Sequence, residues 1–261
     1  MFFFRKKYKV GIALSGGGAK GFAHLGALLA LNEAGIYPNI ISGVSAGAII
    51  GVLYADGQSP EKIFTLLSQD KFMHFVKIGI PKNGLLKING LYTFLKKNLK
   101  ATHFENLKIP LIVAASELNA GHITYFSKGE LIKKIVASSS IPVLFTPVVM
   151  NNKTYIDGGL FDNMPVTPIR KDCEKVIGVH VNPRTEEEDF HSLMQIAERT
   201  FHLAVSTTIQ KSADLCDLFI EPPELINYKL LDLSKSREIF EIGYKAMVNA
   251  LKDNSVFKVK S

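Results

Sequence analysis

The sequence is poor in the residues that build metal sites and disulfide frameworks. Its 261 residues contain no tryptophan, two cysteines, and seven histidines that form no HExxH or similar cluster. The cysteines, Cys173 and Cys216, follow neither a CxxC nor a metal-ligand spacing, so we expect two reduced structural thiols. We therefore predict no metal and no cofactor.

Long apolar runs are also missing. No stretch reaches the roughly 18 consecutive apolar residues that a membrane-spanning helix needs. The N-terminal Met1-Phe2-Phe3-Phe4 is too short for a signal peptide or a span, and Arg5, Lys6 and Lys7 follow it. This segment could insert at a membrane interface or form an edge strand. We expect a cytoplasmic protein that can lie peripherally on the inner face of a membrane.

Acidic residues are the scarcer charged class. The chain has 24 Asp and Glu against 31 Lys and Arg, a formal net charge of +7. This excess predicts attraction to an anionic partner. We expect no nucleic acid, because the chain has no zinc finger, RNP motif or arginine-rich stripe. Anionic membrane lipid is the favoured alternative.

Strand and helix patterns alternate along the chain. Short apolar runs predict strands near 8–14, 38–41, 110–116, 122–126, 175–182 and 217–220. Helices are predicted near 19–34, 45–55, 60–69, 90–99, 129–139, 165–171, 190–213 and 236–252. Together they predict one α/β domain over 1–261, with three α/β/α layers around a mainly parallel central sheet.

The most informative motif is Gly43-Val44-Ser45-Ala46-Gly47. It follows the apolar pair Ile40-Ile41 and precedes an apolar helical stretch, which is the pattern of a nucleophile elbow. Such a turn lifts one serine clear of the sheet, and small flanking residues keep its strained backbone free of clashes. Ser45 is therefore the candidate nucleophile, with Gly43 and Gly47 in support.

A glycine-rich loop precedes this motif. Gly16, Gly17 and Gly18 follow a predicted buried strand and open a helix, with Lys20 and Gly21 next. Exposed backbone N–H groups in such a loop can form an oxyanion hole. The spacing also fits GxGxxG, but no acidic residue ends the second strand to hold a ribose. A P-loop fits less well, because Lys20 precedes glycine.

A third motif, Asp157-Gly158-Gly159, follows the strand-like run Lys153–Ile156. A DG pair is usually just a turn. Here the diglycine turn would direct a carboxylate out of the strand end, and a serine nucleophile needs a base.

These blocks, with Ala137–Pro142 and Leu160–Val166, resemble the patatin-like phospholipases, specifically the small single-domain bacterial type. The resemblance covers about residues 8–182; no motif is matched beyond about 183. It implies a Ser–Asp dyad instead of a triad, with Ser45 as nucleophile, Asp157 as general base, and the backbone of Gly16, Gly17 and Gly18 as oxyanion hole. Gly21, Gly43, Gly47, Gly158 and Gly159 would support the motifs.

A carboxylate with an ordinary pKa of about 4 is a weak base, so Asp157 would have to be partly desolvated and within hydrogen-bond reach. A Ser–Asp–His triad with His180 is a minor alternative, because His180 ends a predicted buried strand. We expect His24 to be a packing or capping residue. His191 and His202 are placed on the polar side of a helix.

The predicted function is hydrolysis of acyl esters in phospholipid or lysophospholipid, of the phospholipase A or lysophospholipase type, through an acyl-serine intermediate. One alternative is a lipid-binding or regulatory protein with weak activity. Another is an acyltransferase that uses the same acyl-serine.

The positive charge is concentrated in residues 71–108, which contain eight lysines and the single acid Glu105. Apolar residues alternate with the lysines, so this segment is a candidate basic cap that docks on an anionic bilayer. The simpler interpretation is a solvated surface with a normal apolar underside.

The cap hypothesis predicts that the full chain floats with vesicles that contain anionic lipid, and less so at high salt, because screening weakens the attraction. Flotation with anionic and with neutral vesicles measures this. Equal binding to both vesicle types would contradict the electrostatic contribution.

Overall fold

The computed structural model describes residues 6–69, 89–184, 193–230 and 232–254, together with Glu186, Asp189 and Phe257. The described strands are β1 (Tyr8–Leu14), β2 (Ile40–Gly43), β3 (Leu111–Glu117), β4 (His122–Phe126), β5 (Val148–Met150), β6 (Lys153–Asp157), β7 (Cys173–Val179) and β8 (Leu218–Ile220). The described α-helices are α1 (Phe22–Glu33), α2 (Ala46–Ala55), α3 (Pro60–Ser68), α4 (Asn89–Asn98), α5 (Ile132–Ser138), α6 (Thr167–Arg170), α7 (Leu193–Ser206), α8 (Ile209–Ala213) and α9 (Ser236–Asp253).

The described strands form one mixed sheet in the order β5-β6-β3-β2-β1-β7-β8, with β4 also paired to β3. Five neighbouring strands of this order are parallel to one another: β3, β2, β1, β7 and β8. Strand β1 lies centrally, between β2 and β7. The carboxyl ends of these parallel strands meet at one edge of the sheet, where open α/β sheets place their sites.

The pairing of β3 decides where β6 lies. Residues Leu111–Val113 of β3 pair with β2, whereas Ala115–Glu117 pair with both β4 and β6. Because a strand has only two edges, β6 occupies the same edge of β3 as β2 does, beyond the carboxyl end of β2. Antiparallel β6 therefore brings its last residue, Asp157, to the place where the chain leaves β2.

Helices cover both faces of the sheet. Successive residues of β1 point to opposite faces, and Ile12 and Leu14 belong to a large apolar cluster with residues of α1, α2, α3 and α9. Ala13 belongs to a second cluster, on the opposite face, with Ile169 of α6 and Ile209 of α8. The predicted fold class, three α/β/α layers with a mostly parallel sheet, is confirmed.

The C-terminal region, which matched no motif, is part of this architecture. Strand β8 extends the sheet beside β7, and α9 packs across α1. The crossing needs two glycines: a Cβ on Gly243 would lie 2.0 Å from the carbonyl oxygen of Ala23, and one on Gly26 would lie 2.0 Å from that of Phe240. The helices therefore approach backbone to backbone.

Among the sequence expectations that differ from the structure are a helix and a strand. The helix predicted over 190–213 is broken between α7 and α8, because three successive hydroxyls bond the carbonyls three residues back: Ser206 to Leu203 (2.8 Å), Thr207 to Ala204 (2.8 Å) and Thr208 to Val205 (3.4 Å). Such bonds compete with the helical ladder. The strand predicted at 38–41 instead runs over Ile40–Gly43.

The segment predicted as a basic cap lies partly outside the described residues, and Met1–Arg5 lies wholly outside them. In its described part, Leu91, Phe94 and Leu95 of α4 are buried in the main apolar cluster, while Lys96, Lys97 and Lys100 are exposed. For α4, the apolar face is thus part of the protein core. Among the described residues, none of the helices combines the length and hydropathy needed to cross a bilayer.

The helix crossing predicts that Gly243→Ala destabilises the protein. In an open helix this change would stabilise by about 1 kcal/mol. Here the added Cβ would meet the backbone of Ala23, and such overpacking typically costs about 1–3 kcal/mol. We expect urea unfolding to show a net loss of stability. The matched control is Lys245→Ala at an exposed position of α9, which should change stability by less than about 0.5 kcal/mol. If Gly243→Ala instead made the protein more stable, the close crossing of α1 and α9 would be contradicted.

Candidate active site

Ser45 lies at the turn between β2 and α2, with φ 52° and ψ −122°. A non-glycine residue with positive φ is strained, and such strain concentrates at functional sites. The N–H of Ser45 donates to the Oγ of Ser138 at 3.0 Å. This geometry fits the strained strand-to-helix turn that the sequence predicts at Ser45.

The glycines around Ser45 permit close packing. A Cβ on Gly47 would lie 2.2 Å from the carbonyl oxygen of Leu14, so α2 could not approach the end of β1 with any larger residue. A Cβ on Gly43 would lie 2.6 Å from the carbonyl oxygen of Gly47, and one on Gly21 would lie 2.9 Å from the Cβ of Ala46. Three of the five predicted supporting glycines, Gly21, Gly43 and Gly47, thus lie against the turn at Ser45.

Asp157 ends β6 and is 2% exposed. Its carboxylate accepts a hydrogen bond at 2.8 Å from the N–H of Gly159, and the hydroxyl of Ser45 is close enough to lower the pKa of this carboxylate. A Cβ on Gly158 would lie 2.3 Å from the carbonyl oxygen of Ala114, so this turn packs directly on β3. The structure therefore brings together the serine and the aspartate that the sequence singled out.

The segment Ser138–Ser140 connects the two residues. Ser138 accepts from the N–H of Ser45, and the carbonyl of Ser140 accepts from the N–H of Asp157 at 2.9 Å. The sequence marked Ala137–Pro142 as a matching block without giving it a role. Its place in the structure indicates that it holds the nucleophile turn and the carboxylate at a fixed separation.

Burial raises the pKa of Asp157 to about 6, and the hydrogen bonds from Ser45 and Gly159 limit the rise. Desolvation disfavours the charged form of a carboxylate, whereas bonds donated to it favour that form. The group is therefore ionised at neutral pH and is a stronger base than an exposed aspartate.

The glycine loop faces this pair, but its three N–H groups are not equivalent. Gly16 donates its N–H to the carbonyl of Asn163 at 3.2 Å. In the part of the chain that the structure describes, the N–H groups of Gly17 and Gly18 donate to no other group. Gly18 has φ +54°, which favours glycine. Gly17 and Gly18, but not Gly16, can thus offer donors to a ligand.

Ser45, Asp157 and the three glycines line one small cavity of about 30 Å³, room for about one water molecule. Sequence reasoning missed the rest of the lining: Ile141, Asn163, Asn182, Phe201, His202, Val205 and Leu230. Three of these, Phe201, His202 and Val205, belong to α7 at positions i, i+1 and i+4. This spacing puts the three residues on one face of α7, and in the structure that face covers the site.

The placement of His202 on a polar helix face is wrong, because its half-buried ring lines the cavity. Its Nδ1 lies 3.3 Å from Nη1 of Arg199. Burial, with the positive charges of Lys20 and Arg199, lowers its pKa to about 4, so the ring is neutral at neutral pH. His191 lies outside the described residues.

His180 does not line the cavity that holds Ser45 and Asp157. Its Nδ1 pairs with the carboxylate of Glu221, and its ring borders a separate cavity of about 350 Å³. The structure thus does not bring His180 into the cavity that holds Ser45 and Asp157. His24 is fully buried and its Nε2 bonds the carbonyl of Ser15 at 2.9 Å, in keeping with the packing role expected for it.

Within the described ranges, no three His, Cys, Asp or Glu side chains come together as a possible metal site.

A strained serine in one cavity with a buried carboxylate, beside a loop of glycine N–H groups, is the arrangement of a serine-type acyl hydrolase. The profile of the family described as patatin-like phospholipase matches residues 12–169, more than half of the chain. The chain belongs to the patatin-like phospholipase family, as the sequence blocks predicted.

Several curated proteins are similar to this chain. An uncharacterized NTE family protein of Mycobacterium tuberculosis is 32% identical over 62% of this chain and 45% of the relative. Lysophospholipase NTE1 of Kluyveromyces lactis is 25% identical over 90% of this chain and 18% of the relative. The rat patatin-like phospholipase domain-containing protein 7 is 26% identical over 90% of this chain and 20% of the relative. The chain thus spans less than half the length of these relatives.

Among solved structures, VipD from Legionella pneumophila has a similar fold. The comparison gives a TM-score of 0.57 at 16% identity and covers 95% of this chain and 67% of the VipD chain. At this identity the likeness concerns the fold alone.

The raised pKa of Asp157 predicts the pH dependence of turnover. If Asp157 is the general base that the family resemblance implies, its carboxylate must be ionised to accept the proton of Ser45, so kcat/KM should rise with pH through an apparent pKa of about 6 and level off above it. Initial rates on a soluble ester from acid to neutral pH measure this. A profile that is flat through this range, with the fold intact by circular dichroism, would contradict the role of Asp157 as general base.

Proposed function

We propose that the protein hydrolyses the acyl ester of phospholipid or lysophospholipid, with Ser45 as nucleophile and Asp157 as general base. The observation that carries the proposal is that Ser45, at a strained turn, and the buried Asp157 carboxylate line the same cavity, with the serine hydroxyl close enough to lower the pKa of that carboxylate. The N–H groups of Gly17 and Gly18 form the oxyanion hole beside it, and Gly16 shapes that loop.

In the first half-reaction, Asp157 accepts the hydroxyl proton as the Oγ of Ser45 attacks the carbonyl carbon of the ester. The oxyanion that forms is stabilised by the two N–H groups, each contributing about 3–4 kcal/mol. The intermediate then collapses, the carbon–alkoxy bond breaks, and the alcohol leaves with the proton from Asp157. Ser45 now carries the acyl group.

In the second half-reaction, water takes the position of the departed alcohol. Asp157 removes its proton as the water oxygen attacks the acyl carbon, and collapse of the second intermediate returns the proton to Ser45 and frees the fatty acid. The same base acts in both steps, so a single carboxylate suffices.

The substrate class is supported by the family and by the names of relatives. The family is described as patatin-like phospholipase, and similar curated proteins are named lysophospholipase. The hydrolase assignment agrees with both. The lining beside Ser45 includes Ile141, Phe201, Val205 and Leu230, apolar side chains suited to an acyl chain.

Contact with an anionic membrane is part of the same proposal. Lys96, Lys97 and Lys100 are exposed at and just after the end of α4, whose apolar side is buried in the core. These lysines are available to lipid phosphates without unfolding the helix.

The dyad predicts severe losses on substitution. Ser45→Ala should lower turnover by about 10⁴-fold or more, because the oxyanion hole alone leaves only residual catalysis. Asp157→Asn keeps the shape of the side chain but removes the base, and should be similarly severe. Hydrolysis at the wild-type rate by either variant would exclude the dyad.

The assay is fatty-acid release, measured by mass spectrometry without calcium, from phospholipids, lysophospholipids and neutral glycerides. Ser45→Ala is the blank and His180→Ala the matched control, since His180 lies outside the cavity. Retained turnover in His180→Ala supports the dyad, and its loss with an intact fold supports the triad. Transacylated lipid among the products would indicate an acyltransferase, and no release above the blank would indicate a lipid-binding protein.

A further inference from the structure

The side chain of Asn163 lies close to both reacting groups. A Cβ on Gly16 would lie 2.6 Å from Oδ1 of Asn163 and 3.3 Å from the Cβ of Ser45. A Cβ on Gly159 would lie 2.8 Å from the same Oδ1 and 3.0 Å from Oδ1 of Asp157. The Asn163 amide therefore packs on two glycines, one of which also contacts the nucleophile and the other the carboxylate.

This amide has a donor without a partner. Asn163 is 3% exposed and lines the cavity that contains Ser45. Its Nδ2 is buried and has no hydrogen-bond partner among the described residues. Its Oδ1 lies against the α-carbons of Gly16 and Gly159, where an oxygen accepts weak C–H contacts and an NH2 group would not. A buried N–H without an acceptor costs free energy, which an oxygen of a bound substrate would recover.

Asn163 also affects which glycine N–H groups remain free. Its backbone carbonyl accepts the N–H of Gly16 at 3.2 Å, whereas the N–H groups of Gly17 and Gly18 donate to no other group in the described ranges. The backbone N–H of Asn163 is held in turn by Oγ1 of Thr208 at 3.4 Å. Asn163 thus occupies one donor of the glycine loop and brings a side-chain donor to the lining of the same cavity.

We propose that Asn163 is a catalytic residue whose Nδ2 donates to the oxyanion that forms when Ser45 attacks the ester, beside the N–H groups of Gly17 and Gly18. A side-chain amide fixed in place before the reaction stabilises the developing charge without reorganisation. The bond to the negative oxygen is stronger than the bond to the neutral carbonyl, so it raises kcat without changing KM. The inference rests on the proposed function and adds a third donor, from outside the glycine loop.

The test removes this donor and measures kcat and KM separately on a soluble p-nitrophenyl ester. Asn163→Ala should lower kcat about 100-fold, the loss typical of one oxyanion-hole donor, with KM changed less than about threefold. Asn163→Asp keeps the shape of the side chain without the N–H and should be at least as severe. Asn163→Gln keeps an amide and should recover part of the loss. A wild-type kcat in both Asn163→Ala and Asn163→Asp would overturn the proposal.

The matched control disturbs the same segment without touching the amide. Thr208→Val removes the acceptor of the Asn163 backbone N–H and should leave kcat near the wild-type value. Circular dichroism checks that each variant is folded. A loss in Thr208→Val as large as the loss in Asn163→Ala would mean that Asn163 has only a structural role, and would overturn the proposal.

A second measurement examines the oxyanion directly. The Oγ of Ser45 should add to the carbonyl carbon of a long-chain trifluoromethyl ketone while Asp157 takes up the hydroxyl proton, which leaves an oxyanion like that of the tetrahedral intermediate. Asn163→Ala should weaken inhibition by this ketone about 100-fold, in step with kcat, and should not change binding of the unfluorinated methyl ketone. Equal inhibition of the two chains by the fluorinated ketone would overturn the proposal.

The outcomes separate this inference from the proposed function. A wild-type chain that forms the ketone adduct but releases no fatty acid from lipid would refute the proposed function and leave the oxyanion donor in place. Fatty-acid release that depends on Ser45 but not on Asn163 would refute the inference alone. A wild-type chain that forms no adduct and releases no fatty acid would refute both.

Discussion

The site depends on the antiparallel pairing of β6 with the end of β3. Because Ala115–Glu117 pair with β4 on one edge, β6 must occupy the other edge, in line with β2. The last residue of β6 then faces the turn that follows β2. A shift of this register by one residue would turn the Asp157 side chain to the opposite face of the sheet, and the carboxylate would leave the cavity that it shares with Ser45.

Holding a carboxylate in this position has a cost in stability. Burial raises the pKa of Asp157 from 3.8 to about 6, so the stability contributed by this group is present below the lower value and declines as pH rises through the upper one. The ionised form that would act as base is therefore the form that the fold disfavours. Bonds from Ser45 and Gly159 offset part of this cost, and functional sites commonly show such a balance.

Helix α7 gives the cavity a second wall of different chemistry. Phe201 and Val205 supply apolar surface beside the serine, while His202 lines the cavity with an imidazole whose Nδ1 lies 3.3 Å from Arg199. The region beyond residue 183, which matched no motif, thus contributes both the cover of the site and the packing of α9 on α1.

The sequence by itself determined the layered fold, the family, and the motifs of Ser45 and Asp157, because these depend on local signals. Glycines at fixed spacing mark tight turns, and alternating apolar runs mark strands and helices. Only the tertiary structure decided that Gly16 donates its N–H to the carbonyl of Asn163, that His180 pairs with Glu221, and that His202 lines the cavity of Ser45. Those outcomes depend on which segments, distant in the chain, approach one another, and local residue patterns do not encode such contacts.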